Sequence, residues 1–345
     1  MKKQILIVLL AVGCLAAYAQ KKDEMEPFLV KSLKGQSFTL AKIRTSGGSI
    51  TVVGSDDNNP RIEVYVQANN NEKLTHEEIQ QRLDEKYKLD INVSDNKLVA
   101  VAERKEKLTN WKKSLSIGFK VFVPQKMATD LSTSGGSISL SDVNGEQDFT
   151  TSGGSLELDK VSGNVKGRTS GGNIQLKNCR QNIDLATSGG SISAKNCEGN
   201  LILNTSGGSI YFKHLKGEIK TRTSGGNVEG DDISGELHAS TSGGNVSLTK
   251  LACSIEASTS GGNVRVEVIE LGKFVTLSNS GGRIELSLPK GKGLDLNLEA
   301  NRVSTGKLEN FSGSMKPDEV EGKLNGGGVP VKVKSSSGQI VLAFI

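Results

Sequence analysis

The chain has 345 residues, 41 of them glycine and only 6 proline, with 43 Lys+Arg against 38 Asp+Glu for a formal charge of +5. This excludes a proline-rich disordered chain, and the glycine shows no collagen period. Aromatics are 4% and hydrophobics 35%, so any core must be built from small aliphatic side chains, and the slight basic excess gives no case for a nucleic-acid partner.

Met1-Lys2-Lys3 leads into an apolar run from Ile5 to Gly13, shorter than the roughly 20 residues a membrane-spanning helix needs. Ala17-Tyr18-Ala19 then gives a small-x-small cleavage pattern ahead of Gln20 and the charged run Lys21-Lys22-Asp23-Glu24. Residues 1–19 are expected to be a removable secretory signal peptide. The mature protein then belongs to the periplasm, the outer membrane or the cell surface. A competing reading makes Cys14 a lipidated cysteine, although Ala11 stands where a bacterial lipobox usually has leucine. Membrane association is expected only in that case.

Residues 20–44 read as a lead-in with a first strand. At Thr45 the string Thr-Ser-Gly-Gly occurs for the first time, and it does not return until Thr133. The intervening segment holds strand-like stretches at 61–66, 89–93, 98–102 and 117–123. It also holds a helix near 75–88, opened by Thr75 with Glu78 as a capping box. Residues 45–130 therefore read as a first rung plus an α+β capping insertion, because the end of a stacked sheet must be covered. Trp111 in this insertion is surrounded by Lys105, Lys107, Lys112 and Lys113. Trp111, Lys112 and Lys113 are either a contact tip for an anionic glycan, lipid headgroup or protein, or a solvated hairpin with one packed tryptophan.

From Thr133 the string recurs at Thr151, Thr169, Thr187, Thr205, Thr223, Thr241 and Thr259, always 18 residues apart. With the threonine as offset 0, offset 5 is Ile138, Leu156, Ile174, Ile192, Ile210, Val228, Val246 and Val264. Offsets 7, 14 and 16 are also mostly apolar. Spacing by two is strand periodicity. Each coil thus has two short strands and two turns. One turn is Thr-Ser-Gly-Gly, with Gly135, Gly136, Gly153, Gly154, Gly171, Gly172, Gly189, Gly190, Gly207, Gly208, Gly225, Gly226, Gly243, Gly244, Gly261 and Gly262. The other centres on offset 12, at Gly145, Gly163, Gly199, Gly217 and Gly235. Positive φ is the expected reason for glycine in both, so Gly189→Val should cost about 1–3 kcal/mol in strain.

A helical repeat fails, since Gly-Gly in every coil would break each helix. A hexapeptide β-helix fails because offset 11 holds Asn144, Ser162, Asn196 and Lys216. A calcium-binding nonapeptide roll lacks its aspartates. The expected fold is all-β: a single-chain parallel β-solenoid of 18-residue coils, regular over 131–283. Threonines at offset 0 and Ser/Asn at offset 4 should form polar ladders. Residues 284–345 should supply closing rungs and a cap, with a last rung at 331–342.

The Thr-Ser-Gly-Gly-Ser-Ile array, Gly-Phe-Lys-Val-Phe-Val-Pro at 118–124 and the closing segment 326–342 together carry a likeness. Over residues 38–345 the chain resembles the bacterial putative-adhesin β-strand-repeat family, a domain of unknown function. The resemblance implies an exported solenoid of the envelope or cell surface and brings no catalytic or binding residues with it.

Chemistry on such a rod would need acids, bases or ligands stacked outward. Offset 6 and offset 15 hold no two carboxylates on neighbouring rungs, and Asp148, Lys166 and Asp184 alternate in sign. His76, His214 and His238 do not cluster in sequence, so neither metal nor cofactor is expected. Cys179 and Cys197 both stand at offset 10, one coil apart. Two readings stand for them: buried thiols acting as small apolar residues, or a rung-to-rung disulfide in an oxidising compartment. Cys253 has no partner in register. The sequence thus points to a non-enzymatic surface module with a glycan or protein partner. The alternatives are a periplasmic sensor or regulatory partner of an envelope-stress system, and a carbohydrate-active β-helix enzyme.

Overall fold

The computed structural model describes residues 25–56, 59–69, 72–106 and 114–345. Its centre is a parallel β-solenoid in which each residue lies over the one 18 positions earlier. The equivalences at offset 5 are strict: Leu156 pairs with Ile174, Ile174 with Ile192, and Ile192 with Ile210. The opposite strands keep the same register, with Thr151 on Thr169 and Thr169 on Thr187. Offsets 5, 7, 10, 14 and 16 point inward, so one column of buried aliphatics runs the length of the rod. Gln147, the polar exception at offset 14, is satisfied in place. Its amide donates to Met127 O at 2.7 Å and its carbonyl accepts from Thr129 Oγ1 at 2.6 Å.

Core volume is balanced between neighbouring coils. Phe149 extends over Gly167, where an added Cβ would lie 2.2 Å from the ring and 2.6 Å from Leu185. Phe212 does the same over Gly230, whose Cβ would lie 2.3 Å from the ring. Each bulky ring therefore requires a side chain missing from the next rung, as close packing demands.

The Thr-Ser-Gly-Gly edge is a hydrogen-bond ladder. From Thr133 to Thr259 each motif threonine hydroxyl donates to the carbonyl of the second glycine one rung below, as Thr187 Oγ1 does to Gly172 O at 2.8 Å, while Thr45 at the end donates to Ile117 O. The Thr187 oxygen also accepts from the second glycine of its own turn, Gly190 N at 3.2 Å. Beside it, the Ser/Asn column accepts from the backbone above: Ser191 N donates to Asn173 Oδ1 at 2.8 Å, and Ser209 N to Ser191 Oγ at 3.2 Å. Both ladders satisfy backbone groups that a turn would otherwise leave unpaired.

The glycines of this edge serve a different purpose from the one the sequence suggested. None of them has the left-handed φ of a reversal. The second is fixed by crowding: a Cβ on Gly190 would stand 2.0 Å from Gly172 O. The first is open, since a Cβ on Gly189 would have its nearest neighbour, Ser170 O, at 3.5 Å. The strain expected for Gly189→Val therefore has no basis in φ. Positive φ belongs to the other corner. Gly145, Gly163, Gly199, Gly217 and Gly235 have φ between 107° and 143°, and Gln181 takes the same place at 76°. Three residues before them, offset 9 is left-handed without any glycine in the seven coils that begin at Thr133 to Thr241: Asp142, Lys160, Asn178, Asn196, His214, Asp232 and Lys250, at 53° to 59°; the coil from Thr259, whose register shifts, lacks it at Val268.

Both ends are built from insertions that lie outside a rung distant in sequence. Leu40–Thr45 and Ile50–Gly54 stack directly on the 133 coil, Thr45 on Thr133 and Ile50 on Ile138. The insertion then does more than cap. Its strands Lys97–Arg104 and Leu115–Val123 lie parallel under that first rung, continuing the solenoid. Antiparallel strands Tyr87–Ser94, Arg61–Ala68 and Leu29–Ser32 close the end. The helix is His76–Lys86, capped by Thr75 and Glu78 as the sequence indicated, and it ends before 88 because Tyr87 enters a strand. The buried Tyr87 hydroxyl accepts from Leu115 N at 2.7 Å. The other end mirrors this. Val329–Ser335 and Gln339–Phe344 stack on the 279 coil. Earlier strands Leu294–Glu299 and Arg302–Ser304 lie outside them, followed by antiparallel Glu319–Leu324 and Phe311–Met315. The closing rung around 331–342 is thus an inner layer, and the segment before it is the cover.

Candidate functional site

Outward positions form columns at the rung spacing of about 4.8 Å, and many of their charges cross-link coils. Arg168 donates to the Asp184 carboxylate at 2.6 Å and to Asp184 O at 2.8 Å. Asp231 meets Lys213 at 3.2 Å, Lys250 at 3.5 Å and the Thr249 hydroxyl at 3.0 Å. The hydrogen bonds from Lys213 and Thr249 hold the Asp231 carboxyl below its ordinary range. His238 sits between Glu236 at 3.0 Å and Glu256 at 3.1 Å, and His214 pairs with Asp232 at 2.5 Å.

Asp148, Lys166 and Asp184 stack in register with alternating sign, but Asp130 lies in register with Asp148 one rung earlier, so offset 15 does put two carboxylates on neighbouring rungs, contrary to the sequence expectation; Lys42 meets Asp130 at 3.1 Å. This column lines a shallow groove of about 540 Å³ with Asn164, Asn182 and Ile202. Offset 13, a column the sequence reading passed over, also brings two carboxylates together: Glu218 lies in register with Glu236. Each has its own partner, Lys220 at 2.5 Å for Glu218 and His238 at 3.0 Å for Glu236. The hydrogen bond from Lys220 holds the Glu218 carboxyl low. Among the described residues, no three His, Cys, Asp or Glu side chains group closely enough to hold a metal ion.

Offset 8 was also passed over. Lys177, Lys195 and Lys213 stack directly on three successive rungs, beside a second outward column of Gln175, Ser193 and Tyr211. Writing the sequence out in 18-residue rows would have shown both columns, since nothing but register is needed to see them.

Trp111, Lys112 and Lys113, with Lys107, lie outside the described residues, as do Cys14 and residues 1–19. Lys105, of the same basic group, donates to Asp84 O at 2.5 Å and so ties the insertion to its helix. Cys179 and Cys197 fall on adjacent rungs, both buried and both unbridged in this structure. Glu198 N donates to Cys179 O at 3.0 Å, which fixes their register. Each thiol also donates to a local carbonyl, Lys177 O and Lys195 O, at 3.2 Å. The neighbouring Cys197 thiol, then burial, pushes the Cys179 thiol well above its ordinary pKa. Burial alone pushes Cys253 up to about 12.

No family model matches the sequence. No curated protein matches it either. Two solved structures align over most of the chain. One is a putative cell adhesion protein from Clostridium sporogenes, with 12% identity and a TM-score of 0.20, covering 92% of this chain and 98% of its own. The other is a putative adhesin from Bacteroides fragilis, with 13% identity and a TM-score of 0.25, covering 91% of this chain and 96% of its own. At those scores the likeness adds nothing to what the strand register already establishes, which is the parallel solenoid itself. The glycine turns are placed by that register along one edge, and the chemistry-bearing columns occupy the faces on either side.

Proposed function

We propose that the protein is an exported, non-enzymatic β-solenoid of the cell envelope that acts as an adhesive or structural binding module. The observation that carries this reading is the turn edge: an exposed serine one residue after each motif threonine, from Ser134 to Ser260, and a Ser or Asn three residues further on repeat at every rung along one edge of the rod. Such a surface recognises an extended, repeating ligand, because each coil offers the same groups one step further along. The neighbouring carboxylates Glu218 and Glu236 are each engaged by a side chain of their own, Lys220 and His238, which favours a structural over a glycoside-cleaving role. A signal peptide at residues 1–19 would deliver the rod to the envelope, and lipidation at Cys14 would tether it there.

Affinity capture on immobilised protein, run separately with envelope polysaccharide and with solubilised envelope proteins, tests the reading. Retention of a glycan or of a surface protein supports it. Specific retention of a membrane signalling protein would transfer the function to an envelope-stress sensor. Turnover of a bound glycan would overturn the non-enzymatic assignment. Mass spectrometry of the mature N-terminus checks the address, with Gln20 expected first after cleavage.

A further inference from the structure

Directly stacked like charges destabilise a sheet, and where they occur elsewhere on this rod they are isolated pairs, Asp130 with Asp148, Glu218 with Glu236 and Glu299 with Glu319, while many other charges meet the opposite sign on the next rung. Lys160 lies 3.4 Å from Asp142, Arg265 lies 2.7 Å from Glu285, and Arg168 meets Asp184. The column Lys177–Lys195–Lys213 departs from that pattern. Among the described residues, Lys177 and Lys195 have no ion pair, and only Lys213 is partnered, by Asp231. Asp159, the carboxylate next in the column, accepts instead from Asn178 Nδ2 at 2.8 Å. Alongside run Gln175, Ser193 and Tyr211, the last 43% exposed. A hollow of about 290 Å³ opens beside the tyrosine, lined by Ser193, Lys195, Lys213, Glu229 and Thr249.

We propose that this face binds a short acidic oligosaccharide of the uronate class, lying along the rod axis. Lys177 and Lys195 each face one sugar carboxylate, since a rung step of about 4.8 Å is comparable to the advance of one sugar ring, and the third ring lies on the Tyr211 rung. Tyr211 packs against a ring face while its hydroxyl stays in water, and Ser193 and Gln175 supply hydrogen bonds to hydroxyls. The window is three rungs long. It is bounded by Glu157 and Asp159 at one end and by Glu229 and Asp231 at the other. A long polyanion would meet those carboxylates, and a nucleic acid would find one aromatic where strand binding uses a series of stacking rings. The inference rests on the binding-module reading and names its ligand class.

Isothermal titration of the purified protein with oligogalacturonates of increasing length, at low and high salt, tests it. Affinity should rise up to three units and then level off. Lys177→Ala/Lys195→Ala should weaken binding by about tenfold or more at low salt, with the difference shrinking as salt screens the charges. Tyr211→Ala should weaken it several-fold at both salt concentrations. Lys126→Ala/Lys332→Ala, which removes the same charge elsewhere, should leave it unchanged. The Lys177→Ala/Lys195→Ala protein should melt no lower than wild type, because repulsion is relieved. Equal loss in both double variants, steady gain with length beyond three units, or tighter binding of a single-stranded oligonucleotide overturns the proposal. No affinity for oligogalacturonate with retention of another envelope ligand overturns this ligand class and leaves the binding module standing. No retention of any envelope component overturns both.

Discussion

Substituting alanine at each glycine of one Thr-Ser-Gly-Gly turn separates two explanations of the motif. At Gly190 the new methyl would meet Gly172 O at 2.0 Å, Gly172 C at 2.5 Å and Asn173 N at 2.8 Å. All three are backbone atoms, so no side chain can swing aside and the rungs must part. Parting them stretches the bond from Thr187 Oγ1 to Gly172 O and the bond from Ser191 N to Asn173 Oδ1, both 2.8 Å. Two weakened hydrogen bonds at about 1 kcal/mol each, with overpacking of about 1–3 kcal/mol, give a loss of roughly 3–5 kcal/mol for Gly190→Ala. At Gly189 the nearest atoms are at 3.5 and 3.7 Å, and Gly189→Ala should stay within about 1 kcal/mol of wild type. Urea unfolding gives the two stabilities. Amide hydrogen exchange shows whether the loss is local to the 169 and 187 coils, as a nearest-neighbour solenoid requires. If Gly189→Ala were as damaging as Gly190→Ala, rung spacing would not be what selects glycine here.

Gly230→Ala should cost about 1–3 kcal/mol through collision with the Phe212 ring, and much of that should return in a Phe212→Leu background. A double-mutant cycle without coupling between the two would contradict the shared-volume account. Lys160→Gly and Lys250→Gly should each stabilise by about 1 kcal/mol, because both lysines occupy left-handed corners that glycine adopts freely; the surface ion pairs given up are worth little. Thermal melts in which both variants fall below wild type would refute this. Cys253 is an acid whose folded pKa is raised from 9.0 to about 12, so its contribution is full below pH 9 and is lost as pH climbs toward 12. Cys253→Ala should flatten the alkaline fall in stability between those limits, and an unchanged slope would show that the thiol does not contribute.

The coil was legible because every constraint on it repeats. Ile174 stacks on Ile192 for the reason the spacing suggested, and Thr75 with Glu78 caps a helix as their separation implied. What escaped was information without a one-residue signature. Left-handed φ at offset 9 is carried by Lys160 and His214 as readily as by Asn178, so no residue type marks that corner. The crowding above Gly190 depends on the backbone of the coil below, which no local rule includes. The stacking order of the end insertions escaped because strands 97–104 and 115–123 lie under a rung that precedes them in the chain, while strand 294–299 lies over one that follows. The lysine column was in plain view but needed the faces read down the rod, across coils, as well as along each strand.

The threonine ladder gives the rod a polarity and a unit of length. Every coil offers its neighbour the same carbonyl and the same hydroxyl, so a whole coil can be duplicated or excised with each junction chemically unchanged while the two end assemblies stay intact. The exceptions are written in the core. Excising the coil that begins at Thr205 would set Gly230 against Ala194 and leave an unfilled space where the Phe212 ring had been. Reach can therefore evolve by copy number, but only in steps that keep each large ring beside its matching gap.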